Sequence, residues 1–242
     1  VKNFFRLCKR MIKGLLPRKS EPYLRRFLAP RCQRGPNSHI ARRVQLIGAA
    51  NIRLGENTVI AEDSWLNVNH REPGKLAIVI GDNCFIGRRN FFSSGREIVF
   101  GDYVLTTNDC RFIGSSHVTD NPAVPYLTSG TTASDSIHVG HNCFFGSGAT
   151  VMGNVTVGHG SVLGAGAFLT ASIPAFSVAV GSPARVIKRY SFAKNAWIDC
   201  ANLDDGDLAA NPDANEYLAM LRSNCPDTAM PLVVASTAFG NR

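Results

Sequence analysis

Along most of this chain an aliphatic or aromatic residue returns every six positions, and a glycine often follows it. The clearest run is Val139-Gly140, Phe145-Gly146, Val151, Val157-Gly158, Leu163-Gly164 and Leu169. Earlier runs are Leu54-Gly55, Ile60 and Leu66, then Ile80-Gly81, Ile86-Gly87 and Phe92, then Phe100-Gly101, Thr106 and Phe112. Four residues after many of these positions comes a small or medium residue, among them Thr58, Ser64, Cys84, Cys110, Ala149 and Ala167. Steps of four and then two keep a pair of side chains on one face of a short strand, because strand side chains alternate. The four-residue step crosses a corner, where glycine relieves backbone crowding. Three such strands close a triangular coil, which matches the 18-residue step from Val139 to Val157. Coils of this kind stack at the usual strand spacing of ~4.8 Å. The expected fold is therefore an all-β solenoid, a parallel β-helix over residues 44–189.

Two spacings depart from that rule. Ile80 to Phe100 is 20 residues, a coil with a two-residue bulge, and Phe100 to Val139 is 39. Three strands fit after Phe100, so residues 118–138 leave the solenoid as a protruding loop containing Pro122, Pro125 and Gly130. Loops held out from a rigid scaffold commonly carry function. Residues 1–43 form a separate N-terminal segment. In it Phe4, Phe5, Cys8, Met11, Ile12, Leu15 and Leu16 make one apolar helical face, Lys2, Arg6, Lys9, Arg10 and Lys13 cover the other, and Pro17 ends the helix. Such a basic amphipathic helix suits a membrane interface, so residues 1–16 are a candidate peripheral membrane contact. Packing on the domain or on a neighbouring subunit is the alternative. In the tail, 190–242, a helix is expected over Ser191–Cys200, an acidic loop after it, and a short helix over Glu216–Arg222. The tail would cover the open end of the last coil.

Charge sharpens this division. The chain of 242 residues has a formal net charge of +8. Residues 1–31 hold ten basic residues and one acid, whereas the rest holds 16 basic and 17 acidic residues. A nucleic-acid partner is not expected, because the folded body is nearly neutral. Seven cysteines without paired spacing argue against a disulfide framework and for a reducing, cytoplasmic setting. No apolar run approaches the ~20 residues that span a bilayer.

The repeat, the segment Phe112-Ile-Gly-Ser-Ser-His117 before the loop, and the ending Leu163-Gly-Ala165-Gly followed by Ile173-Pro174 and Gly181-Ser-Pro183-Ala-Arg185-Val-Ile-Lys188 carry a resemblance. Over residues 44–189 the chain resembles the hexapeptide-repeat acyltransferases. It is similar to the galactoside and maltose O-acetyltransferase branch and to acetyltransferases of surface polysaccharide assembly. The resemblance implies a left-handed β-helix, a homotrimer with coenzyme grooves between subunits, and acetyl-CoA as co-substrate with no metal. It also implies a sugar or glycan acceptor, as in polysaccharide or lipopolysaccharide biosynthesis.

In that branch a catalytic histidine follows the first residue of an Ile-Gly-Asp corner by 17 residues. Here Phe100-Gly101-Asp102 is the corner and His117 lies 17 residues on. His117 is thus the implied general base, and the Ser147 N–H, in the Phe144-Phe145-Gly146-Ser147 corner, the implied oxyanion donor. Gly146, Ser147, Ala165, Thr170, Arg185 and Lys188 are the implied coenzyme contacts. Relatives often carry Lys where Ala171 stands, which shifts phosphate binding toward Arg189. The branch's acceptor-binding Asn falls at Gly87, so Asn90, beside Arg88 and Arg89, is the substituted acceptor contact. Asp120 is expected to orient His117 or to meet the acceptor.

Three other functions fit parts of the pattern. A sugar-nucleotide N-acetyltransferase would use the same fold on an amine. A carbonic-anhydrase-like zinc hydratase needs three histidines, and Pro122 occupies the place of one. His141 and His159, one coil apart with Asp82 and Asp102 further along, form a column that a metal or a plain exposed corner would explain. A non-enzymatic scaffold would release no thiol from acetyl-CoA.

Overall fold

The computed structural model describes residues 31–225. The expected amphipathic helix over residues 1–16 lies outside them, as do residues 226–242. Three sheets run the length of the solenoid, and each is a stack of strands from one side of the coil. Side 1 is Gln33–Arg34, Ile52–Leu54, Ile78–Ile80, Glu97–Phe100, Ser136–Val139 and Val155–Val157. Side 2 starts at His39–Ile40 and continues through Val59–Ile60, Phe85–Ile86, Leu105–Thr106, Phe144–Phe145 and Val162–Leu163 to Ser177–Gly181. Side 3 comprises Gln45–Ile47, Trp65–Val68, Phe91–Ser94, Arg111–Ile113, Thr150–Met152 and Phe168–Leu169. Pairing between successive coils is parallel throughout, and the repeat positions stack in register. Leu54 faces Ile80, Ile80 faces Phe100, Phe100 faces Val139, and Val139 faces Val157. Corner 1 joins side 1 to side 2, corner 2 joins side 2 to side 3, and corner 3 leads to the next coil.

The interior follows from the six-residue period. Ile60, Leu66, Ile86, Phe92, Phe112, Phe145, Val151, Leu163 and Leu169 are all buried. Phe92, Phe100, Phe112 and Phe145 make a continuous aromatic contact, with ring centroids 4.8–6.2 Å apart along the axis. Each such side chain contributes about 1.5–3 kcal/mol through burial. Glycine at the corners is a matter of close approach. A Cβ on Gly81 would lie 2.5 Å from Gly101 O of the next coil, which no side chain tolerates. Cys84, Cys110 and Cys143 fill inward corner positions, and burial pushes the thiols of Cys84 and Cys143 up to about 12. They are neutral packing groups.

Three features differ from the expectation. Among the described residues the stack begins at Gln33, ahead of residue 44, because Gln33–Arg34 already pairs with Arg53–Leu54. Arg34 stands in register with Leu54, so a charged residue masks the apolar period in the first coil. Second, the 26-residue step from Leu54 to Ile80 hides another insertion, residues 69–77, which leaves corner 3 as the 114–135 excursion does. Asn51 holds this insertion, donating from Nδ2 to Glu72 O and Lys75 O at 2.6 Å each.

The third difference is at the carboxyl end. The helix expected over Ser191–Cys200 is instead a hairpin. Ala184–Ser191 turns back antiparallel on Ser177–Gly181, and Ala196–Asp199 pairs antiparallel on it in turn. An unpaired strand edge at the last coil is satisfied more completely by strands than by a helix. Tyr190, Phe192, Phe176 and Tyr217 pack edge to face over this end. The helix Ala214–Asn224 follows. Its N-terminus is a capping box in which Asp213 accepts from Glu216 N and Glu216 accepts from Asp213 N.

Candidate functional site

The residue after each corner glycine can close a rung with the next coil, and the corners differ in how far they do so. At corner 1 the side chain of one coil accepts the amide of the coil before it. Asp82 Oδ1 accepts Glu56 N at 2.9 Å, Asp102 Oδ1 accepts Asp82 N at 3.0 Å, and His141 Nδ1 accepts Asp102 N at 2.9 Å. Beyond the last rung the C-terminal helix lies alongside. Tyr217 OH accepts from Asn142 Nδ2 at 2.6 Å, Arg222 pairs with Asp102 at 3.1 Å, and His159 Nε2 sits 3.2 Å from Pro212 O. Burial is the first cause holding the His141 imidazole below its ordinary value, with His159 and Arg222 adding to it and Asp102 opposing. Each histidine of the column thus spends one ring nitrogen on the fold. Among the described residues no group of three metal-ligating side chains converges.

Corner 2 begins the same way and then stops. Asn108 Oδ1 accepts Arg88 N at 3.2 Å. In the next coil Ser147 Oγ turns aside to Thr107 Oγ1, 3.2 Å away, and below it Ala165 has no acceptor to offer. Among the described residues the amides of Asn108, Ser147 and Ala165 have no hydrogen-bond acceptor. Asn108, Ser147 and Ala165 are exposed. Gly146 is buried between coils. A Cβ there would lie 2.5 Å from Ala165 N, so its absence leaves that amide unshaded. Beside this open column runs an apolar strip on side 2, where Leu105 stacks on Phe144 and Phe144 on Val162. Leu105 is 40% and Phe144 37% exposed. Higher up, corner 2 is closed by paired charges. Arg43 grips Asp63 at 2.6 Å, Arg89 grips Asp109 at 2.8 Å, and Arg88 lies 3.6 Å from Glu62.

At corner 3 the excursion carries His117. Its backbone bridges antiparallel to Thr131, and the two sides of the loop root are laced by Thr132 N to Ser116 O at 2.8 Å and Val118 N to Gly130 O at 3.2 Å. The His117 side chain is exposed. Asp120 is exposed too, and among the described residues no hydrogen bond joins it to His117.

The remaining expectations divide. Thr170 is exposed where side 3 ends. Arg185 stands opposite Val180, its Nη1 donating to Ala184 O at 2.8 Å, which leaves most of the guanidinium outward. Lys188 faces Asp199 across the hairpin at 3.5 Å. Arg189 is half-buried and donates to Ala175 O at 3.2 Å, so it holds the hairpin and is turned away from solvent phosphates. Asn90 is a correction. It is only 1% exposed, and its Nδ2 donates to Gly87 O at 2.7 Å and Thr107 O at 2.8 Å. It follows Ile86 by four residues, the inward corner position of the repeat, and so it cannot face an acceptor. One residue went unnoticed in the sequence. His70, in the 69–77 insertion, reaches the root of the His117 loop. Its only signal was the overlong step from Leu54 to Ile80.

Known proteins supply context for this geometry. Residues 136–171 match the family described as bacterial transferase hexapeptide (six repeats), and residues 77–89 match the hexapeptide repeat of succinyl-transferase. A protein of Mycobacterium tuberculosis named as the probable acetyltransferase Rv3034c is 27% identical over 158 residues, 63% of this chain. The matched region spans about half of that relative, 52% of its length. Among solved structures, AntD, an N-acyltransferase from Bacillus cereus in complex with dTDP and 3-hydroxybutyryl-CoA, superposes with a TM-score of 0.56 at 16% identity. That alignment covers 84% of this chain and 97% of the other. A variant of the same enzyme, bound to dTDP-4-amino-4,6-dideoxyglucose and Coenzyme A, gives a TM-score of 0.57 at 18% identity over 70% of this chain and 89% of the other. At these identities the likeness is one of fold.

Proposed function

We propose that this chain, a hexapeptide-repeat protein of the bacterial transferase type, transfers the acetyl group of acetyl-CoA to a hydroxyl of a sugar acceptor. One observation carries the reading: corner 2 presents a column of unoccupied amides, Asn108, Ser147 and Ala165, beside the apolar strip of Leu105, Phe144 and Val162. Backbone donors a coil apart beside a greasy wall suit the amide-bearing, flexible arm of a coenzyme. Nearby Thr170 and the outward guanidinium of Arg185 suit its phosphates.

In this reading His117 takes the proton of the acceptor hydroxyl as the oxygen attacks the thioester carbonyl. Negative charge develops on the former carbonyl oxygen, and the Ser147 N–H donates to it. The tetrahedral species then expels the thiolate of CoA, which recovers the proton from the imidazolium. The thioester is activated already, so no covalent enzyme intermediate is needed.

The two halves of this site stand apart in one chain. His117 leaves corner 3 while Ser147 sits at corner 2, with side 3 between them, a strand of roughly 10 Å. The reading therefore includes a homotrimer of left-handed β-helices, in which the loop of one copy faces corner 2 of the next. The acceptor belongs to surface polysaccharide or lipopolysaccharide assembly, where acetyl-CoA supply places the reaction in the cytoplasm. Residues 1–16 would hold the enzyme at the inner face of the membrane. AntD acts as an N-acyltransferase and appears with an amino sugar nucleotide, so acetylation of a sugar amine is the second reading.

An acceptor screen with acetyl-CoA decides between these. Thiol release should depend on the acceptor, and mass spectrometry should find one added acetyl group on oxygen. Acetylation confined to amino sugars would favour the second reading. No thiol release with any sugar would sink both.

A further inference from the structure

Both insertions leave corner 3, and a single histidine ties them together. His70 places Nε2 3.1 Å from Thr132 O and 3.3 Å from Thr131 Oγ1. A carbonyl oxygen only accepts, so Nε2 carries the proton and donates. Thr131 is the residue bridged to His117. Thr132 knots the same root further, for Ser116 N donates to its Oγ1 at 3.0 Å and Ser115 Oγ donates to its carbonyl at 2.7 Å. The insertion bearing His70 is itself anchored to the coil. Asn69 Nδ2 donates to Ser93 Oγ at 2.9 Å and to Ser94 O at 3.0 Å. A path of hydrogen bonds, joined by the Asn69–His70 peptide link, thus runs from the third coil to the segment paired with His117.

We propose that His70 is a positioning residue: it pins Thr131 and Thr132 against corner 3 and so fixes where His117 stands. The inference rests on the acyl-transfer reading of His117. The His117 side chain is exposed and makes no hydrogen bond among the described residues, so its place is set by its backbone alone, and that backbone is held through Thr131. A reacting group misplaced by about 1 Å can cost ~100-fold in rate. A ring N–H suits this task, because the Thr132 carbonyl can only accept and Nε2 must donate to it.

The test compares His70→Ala and His70→Gln in the full chain. Amide hydrogen exchange is read on peptides spanning residues 116–132, and turnover is read with acetyl-CoA and the acceptor found in the screen. His70→Ala should speed exchange at Val118 and Thr132 and lower kcat by about ten- to a hundredfold, with the KM for acetyl-CoA within about twofold. His70→Gln, whose side-chain amide can donate to the same carbonyl, should restore both. Unchanged exchange in His70→Ala overturns the inference, and so does normal kcat with accelerated exchange. Equal loss of kcat in both variants with native exchange in His70→Gln also overturns it, since the imidazole would then act chemically. A wild-type chain inert toward acetyl-CoA removes the acyl-transfer reading instead, while the exchange data still decide whether His70 holds the loop.

Discussion

Corners 1 and 2 are built from the same repeat, yet three rungs close at corner 1 before the open amides of His141 and His159 are reached, and only one closes at corner 2. At corner 1 the residues after the glycines are Glu56, Asp82, Asp102, His141 and His159, and acceptor side chains close successive rungs from coil to coil. At corner 2 the corresponding residues become Arg88, Asn108, Ser147 and Ala165, and the rungs end after the first. A backbone amide left without a partner in the fold is available to something outside it, provided water or a ligand can reach it. Corner 1 spends most of its polar groups on stability, and in the proposed reading corner 2 offers three stacked amides to the coenzyme. If corner 2 is the ligand side, as proposed, the shrinking of side chains from Asn108 through Ser147 to Ala165 marks it where no single residue does.

The sharpest break of this contrast removes the base that corner 2 lacks. His117→Ala should leave the coil stack intact, because the side chain makes no bond within it, and lower acetyl transfer by about 10²–10⁴-fold, the usual contribution of a positioned base. Near-normal turnover would take His117 out of the chemistry. A second variant turns corner 2 into corner 1. Ala165→Asn supplies the missing acceptor for Ser147 N–H, copying the Asn108 rung. It should cut kcat/KM by about 10²–10³-fold, the cost of losing one oxyanion donor, while thermal stability holds or rises. Full activity with a closed rung would mean that the Ser147 amide is not used.

The converse variant opens corner 1. Asp102 accepts Asp82 N and pairs with Arg222. Asp102→Ala strands a half-buried amide and should destabilise the fold by about 1–3 kcal/mol in denaturant unfolding. Turnover of the folded fraction should be unchanged, because the strands of side 2 separate the ladder from the open column. A loss of activity larger than the loss of folded protein would show that corner 1 communicates with the site.

How much of this was legible in the sequence depends on what each residue has to do. The period predicts the coil because every inward position sees the same neighbour, so a strong local rule repeats; Leu54, Ile80, Phe100 and Val139 align in space as in the text. The first described coil was hidden because Arg34, though in register with Leu54, is exposed, so burial there does not demand an apolar side chain. The hairpin after Pro183 escaped because strand pairing there answers an edge created by the last coil, a tertiary demand with no local period. In the site, Ser147 and Ala165 were indicated by a resemblance, but the reason they matter, the missing rung, requires the column to be seen. Asn90 was misplaced although the repeat itself assigns it inward, since its polarity drew attention from its spacing. His70 belongs to an insertion, and insertions carry no period from which a contact can be read.

The smallest expected effect concerns pH and the last closed rung of corner 1. His141 must present an unprotonated Nδ1 to Asp102 N, and burial holds its imidazole below the ordinary value of 6.5. In the unfolded chain it titrates near ~6.5. Between that value and the lower folded one, the unfolded chain binds more protons, so stability rises with pH. Read downward, the contribution is whole above about 6.5 and is lost as pH falls from there through the folded value. His39, also held low by burial and by Arg34, adds a slope of the same sign. His141→Asn offers an oxygen to the Asp102 amide without a titrating ring. Its thermal midpoint should therefore fall less steeply than wild type as pH drops from about 7.5 to about 5.5. Parallel curves for the two proteins would mean that the ring at corner 1 takes up a proton without losing its rung, and that the ladder is held by the coil rather than holding it.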